Sequence, residues 1–120
     1  MKENVVEVKS FVFAVQIVKL CKILRIETKE YSLVDQLLRA GTSIGANVSE
    51  GVRAASKADF YAKMNIALKE ASETEYWLRL FLESGIVTKM QFSDVYPKCE
   101  EILKILVAIV KTKKPDTKQI

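Results

Sequence analysis

Histidine is absent from this 120-residue sequence. Its absence removes the most common general base, the usual imidazole metal ligand and the side chain that changes charge near neutral pH. Cysteine occurs twice, at Cys21 and Cys99, each far from the other. Metal and redox pairs need close spacing, so both read as reduced core residues. With only two prolines and four glycines the chain has few breakpoints, which excludes a collagen-like or low-complexity protein. Nor does it hold the run of about 20 apolar residues that a membrane span needs. Gln16, Lys19 and Lys22 interrupt its most apolar segment, "MKENVVEVKSFVFAVQIVKLCKIL". That segment also lacks a signal-peptide pattern, because Glu3, Glu7 and Lys9 precede its apolar part and no small-residue cleavage site follows. A cytoplasmic protein without a membrane partner is expected.

What is present is ordinary for a folded protein: 49% hydrophobic and 28% charged residues, enough to build one core. A single domain over residues 1–114 is expected, followed by a flexible basic tail over residues 115–120. Nineteen Lys and Arg against 15 Asp and Glu give a net charge of +4. That balance permits an anionic partner without requiring one.

Apolar residues recur at helical spacing in four long segments, and no strand pattern competes. Asn4 with Glu7 makes a capping-box start for the first helix, which extends to about Ile26 with Val6, Phe13, Ile17, Leu20 and Leu24 on its core stripe. Val8, Phe11, Val15 and Val18 fall on the opposite side, where a bundle helix is normally charged. Two readings remain there: scattered surface residues around a broad core, or a subunit interface. Ser32 with Asp35 is the expected cap of a second helix to about Ala54, with Val34, Leu37, Gly41, Ile44 and Val48 inward. Ser56 with Asp59 caps a third, whose stripe is Phe60, Met64, Ala67, Ala71, Thr74, Leu78 and Phe81, and Gly85 ends it. Thr88 with Gln91 starts the fourth, lined by Ile102, Leu103, Leu106, Ile109 and Val110 to about Lys111, with Pro97 expected to kink or divide it. Short connections between such helices imply an all-α, antiparallel up-down-up-down four-helix bundle.

The segment "RAGTSIGANVSEGVRAAS" is unusual for a helix because it carries three glycines. An interior helical glycine costs about 1 kcal/mol relative to alanine. Gly41 and Gly45, one turn apart, are therefore expected to permit close approach to the small surface of Ala67 and Ala71, and Gly51 to mark a bend or cap. Arg39, Ser43, Asn47 and Glu50 line a neighbouring polar stripe that orients helices or contacts a ligand.

No catalytic constellation emerges. Glu70 and Glu73 share a face beside Lys69, as solvated ion pairs do. Ser43 and Cys99 have no histidine to activate them. "GTSIG" lacks the Gly-Lys-Ser/Thr ending and the preceding strand of a phosphate loop. No metal or cofactor is expected. The basic residues Lys19, Lys22, Arg25 and Lys29, and Lys111, Lys113, Lys114 and Lys118, suit phosphate contacts or serve as a solubilising surface. They lack the aromatic interleaving of an RNA-recognition module, so sequence-specific readout is not expected.

"TSIGANVSEG", then "KADF", then "ALKEASETEYWL" resembles the 23S ribosomal RNA intervening-sequence protein family. The resemblance is carried by Ser43, Ile44, Asn47, Glu50, Gly51, Asp59, Phe60, Ala71, Ser72 and Glu75 and covers nearly the whole chain. It implies a four-helix bundle that assembles into a ring, commonly a homopentamer. Related accessory proteins of diversity-generating retroelements bind nucleic acid and a reverse transcriptase. The family supplies no catalytic residues. The expected protein is thus a nonenzymatic, homo-oligomeric scaffold that binds RNA or DNA. The alternative is an adaptor ring for a partner enzyme such as a reverse transcriptase, without nucleic-acid binding of its own.

Overall fold

Four helices, α1 (Val5–Glu27), α2 (Tyr31–Val52), α3 (Lys57–Glu83) and α4 (Lys89–Lys111), account for nearly all of residues 4–114, which are those that the computed structural model describes. The expected tail over residues 115–120, with Lys118, lies outside them. Side chains satisfy the free amides at three of the helix starts. Asn4 accepts from the Glu7 amide, Ser56 from that of Asp59 and Thr88 from that of Gln91, and Gln91 closes a reciprocal box on Thr88. The second start differs from expectation: α2 begins at Tyr31 after Glu30 and has no side-chain cap, and Ser32 is already helical. The reversal into it is made by Lys29, whose φ of 57° is left-handed. Gly85, with φ of 77°, ends α3 as expected.

Cross-helix partners fix an antiparallel order. Glu7 pairs with Arg53 and Arg25 with Asp35, so the start of α1 meets the end of α2 and the reverse. Glu50 with Lys63 sets α2 against α3 in the same sense, Tyr61 with Thr112 sets α3 against α4, and Lys9 with Glu101 closes the ring between α1 and α4. The result is an up-down-up-down bundle. Its core is formed by the expected stripes: Phe13, Ile17, Leu24, Val34, Leu37, Ile44, Val48, Met64, Leu78, Phe81, Ile102 and Leu106 are all buried. Phe60 sits at the edge of this core, half-buried.

The glycines do not pack as expected. An added Cβ at Gly41 would lie 2.9 Å from Cγ2 of Ile17, and one at Gly45 would lie 3.1 Å from the carbonyl oxygen of Ser10. Both therefore admit α1, not the Ala67–Ala71 surface of α3. Gly51 is no bend: it is a buried helical residue, and a Cβ there would lie 2.9 Å from Cε of Met64 on α3. Pro97 does not divide α4, which runs unbroken from Lys89 to Lys111. Proline removes the hydrogen bond to the carbonyl four residues earlier. Ser93 and Pro97 are both exposed, so water can take that place.

Candidate functional site

An amphipathic helix in a closed bundle has one apolar stripe, but α1 has two. On the side facing away from Phe13, Ile17 and Leu24 lie Val8, Phe11, Val15 and Val18, with 42%, 68%, 38% and 36% of their surface exposed. Val5, Val12, Ile23 and Ile26 are exposed too and were not singled out by the sequence reading. Beside this face, Val8, Phe11 and Val12 meet Gly45 and Ser49 of α2 in an open groove of about 350 Å³, with Asn4 and the Glu7–Arg53 ion pair also lining it. The bare backbone of Gly45 opens the groove on its α2 side. At about 100° per residue, Lys19 and Lys22 continue the outward stripe beyond Val15 and Val18, and both are exposed. The outward face of α1 is thus apolar in its first half, and in its second half Lys19 and Lys22 lie on it together with exposed Ile26.

The candidate nucleic-acid residues do not form one patch. Lys19 and Lys22 belong to the end of the bundle where α1 finishes and α4 begins, and Lys19 shares a shallow cleft with Gln91 and Asp94. Arg25, at the same end, is committed to Asp35 and lies over the Tyr31 ring at 5.1 Å. Lys29 is the left-handed residue of the α1–α2 turn. Lys111, Lys113 and Lys114 are at the opposite end, where α4 finishes. There Lys113 and Lys114 line a cleft with Lys57, which the sequence reading did not single out.

The polar stripe of α2 is satisfied by its own helix and by α3. Ser43 donates to the Arg39 carbonyl and Asn47 to the Ser43 carbonyl. Arg39 reaches both Glu70 and Glu73, and Trp77 Nε1 donates to Glu73 at 3.1 Å. Hydrogen bonds from Trp77 and Arg39 hold the Glu73 carboxyl below its usual range, and the bond to Glu73 raises the Arg39 guanidinium. Glu70 and Glu73 thus bind α2 instead of forming a solvated face with Lys69. Glu50 pairs with Lys63. Ile44 is core, and Gly51 is a helix contact. Of the motif Ser43, Ile44, Asn47, Glu50 and Gly51, therefore, Ile44, Glu50 and Gly51 join α2 to its neighbours, and Ser43 and Asn47 bond within α2.

Both cysteine thiols donate to carbonyls across a helix pair, Cys21 to Val34 and Cys99 to Ala71. Burial pushes each up to about 12. A thiolate is the reactive form, so both should resist thiol reagents at neutral pH until the chain is denatured. Their titration also sets a pH trend. The unfolded chain releases thiol protons near the ordinary value of 9 while the folded chain keeps them until about 12. Native protein then binds more protons, and stability falls as pH rises through that window. The urea midpoint should drop between pH 9 and 12, and a constant midpoint would contradict the burial of these thiols. Among the described residues no three Asp, Glu or Cys side chains converge as a metal site, and no helix is long and apolar enough to cross a membrane.

Residues 2–108 match the family model described as 23S rRNA-intervening sequence protein. A crystal structure from Bacteroides thetaiotaomicron VPI-5482, of a protein with unknown function from the S23 ribosomal protein family, is similar throughout. It has 50% identity and a TM-score of 0.86, and the match covers 89% of this chain and 99% of that one. No curated protein matches the sequence.

Proposed function

The chain belongs to the 23S rRNA-intervening sequence protein family, and from that premise we propose that it is a nonenzymatic, homo-oligomeric scaffold that binds RNA or DNA. The observation that carries this reading is the outward face of α1, where Val8, Phe11, Val15 and Val18 lead into Lys19 and Lys22. Covering the apolar half with further copies would remove exposed hydrophobic surface from water. It would also bring the lysines of several chains together and turn a net charge of +4 per chain into a larger positive field. A closed ring, with the pentamer implied by the family resemblance as its first candidate, suits such an interface. A cytoplasmic location belongs to the same reading.

Such a protein should bind unrelated RNA and DNA duplexes with an affinity that falls steeply as salt rises, because each phosphate contact releases counterions. Fluorescence-anisotropy titration at low and near-physiological salt measures this. Light scattering of the same sample should return a multiple of the chain mass. An oligomer without affinity for either duplex at low salt would replace nucleic acid with a partner protein as the ligand. The open groove of Val8, Phe11, Val12, Gly45 and Ser49 favours that second reading, since it offers an apolar seat beside a charged rim.

A further inference from the structure

At the end of the bundle formed by the start of α3 and the finish of α4, five side chains and Ala58 surround a cleft of about 320 Å³. Three of these side chains are the lysines Lys57, Lys113 and Lys114, and among the described residues no Asp or Glu lines the cleft. Among the described residues none of the three is in an ion pair. The other two are hydroxyls. Thr112 Oγ1 donates to the Ile109 carbonyl at 2.6 Å, so its single proton is spent and the 2.7 Å contact with Tyr61 must be donated by Tyr61. The hydroxyl pair is therefore a brace. It pins the end of α4 to the first turns of α3 and so fixes the lysines that follow Thr112 opposite Lys57. Asp59, in the first turn of α3, does not line the cleft.

Three like charges held around one concave site repel one another and gain from a shared anion of extended negative charge. A phosphodiester backbone supplies one charge per nucleotide along each strand, which matches several lysines better than a single small anion does. We propose that this cleft grips the phosphodiester backbone of nucleic acid through Lys57, Lys113 and Lys114. The assignment rests on the nucleic-acid reading given above and names a place on the chain where the backbone lies. Lysine ammonium groups act as point charges on phosphates and carry no base readout, so RNA and DNA are held alike.

The test compares three full-length proteins by anisotropy against fluorescein-labelled duplex RNA and duplex DNA across a salt series. They are the unaltered chain, Lys57→Gln/Lys113→Gln/Lys114→Gln, and a control of equal charge, Lys69→Gln/Lys89→Gln/Lys98→Gln, from exposed positions elsewhere. Each lost phosphate contact flattens the logarithmic salt dependence by about 0.9 on a duplex. Between about 50 and about 200 mM salt, the affinity of the unaltered chain should therefore fall about 40-fold further than that of the cleft variant. The control should stay within about threefold of the unaltered chain. Lys57→Arg/Lys113→Arg/Lys114→Arg should retain binding and rules out a folding defect as the cause of the loss. If the cleft variant behaves as the control does while the unaltered chain still binds with steep salt dependence, the cleft assignment fails and the nucleic-acid reading stands. If the unaltered chain binds neither duplex, both fail.

Discussion

Exchanging Phe11 and Val15 for aspartate should leave every chain helical and reduce the particle in light scattering to a single copy. Both side chains are exposed in the isolated bundle, Phe11 at 68% and Val15 at 38%, so the fold loses little when they change; exposed substitutions cost about 0.5 kcal/mol or less. An interface loses far more. Each copy would forfeit the burial of a phenylalanine and a valine, about 1.5 to 3 kcal/mol apiece, and would carry two carboxylates into the seam without partners. The energy is multiplied by the number of seams in a closed assembly, so dissociation should be complete at micromolar concentration. An unchanged particle size would place the interface on another face. A monomeric unaltered protein would leave the α1 stripe free for the partner-protein reading.

The second large effect is internal. Gly41→Val should destabilise the bundle by about 3 kcal/mol, because overpacking of a filled core typically costs 1 to 3 kcal/mol and the obstruction here cannot swing aside. The atom met at 2.9 Å is Cγ2 of Ile17, and Cγ1 and Cβ follow at 3.0 and 3.3 Å. These are the near atoms of a fully buried, β-branched residue, stiff at χ1. Gly41→Ala is the gentler probe, since the clash opposes a gain of about 1 kcal/mol in helix propensity. Pairing it with Ile17→Ala, which removes both Cγ atoms, gives a double-mutant cycle in chemical denaturation. The double variant should lose less than the sum of the single ones. Additivity would mean that Gly41 does not face α1.

Those glycines also mark where sequence reasoning stopped. Periodicity assigns an angle on a helix's own surface, so the core stripes of all four helices and the outward stripe of Val8, Phe11, Val15 and Val18 were legible, while exposed Val5 and Val12 were not singled out. Caps formed by Asn4, Ser56 and Thr88 were legible too, because each rests on a contact three residues long. Periodicity does not say which neighbour a face meets. Gly41 and Ala67 both looked suited to close approach, yet the first admits Ile17 from α1. Ser32 with Asp35 had the right spacing for a cap, but Lys29 turned the chain early enough for the helix to start at Tyr31. Arg39 had candidate partners on its own stripe, and tertiary packing gave it Glu70 and Glu73 instead. Lys57 was missed for the same reason: it joins Lys113 and Lys114 only once α3 and α4 are antiparallel.

The placement of the two thiols has a kinetic use. Cys21 belongs to the α1–α2 hairpin and bonds within it, and Cys99 does the same in the α3–α4 hairpin. Each hairpin therefore carries its own reporter of transient opening, and the rates at which the two sites become labelled under native conditions separate hairpin-by-hairpin excursions from whole-bundle unfolding. Equal rates would describe one cooperative unit, whereas a faster Cys21 would describe a scaffold whose first hairpin breathes while the second stays closed.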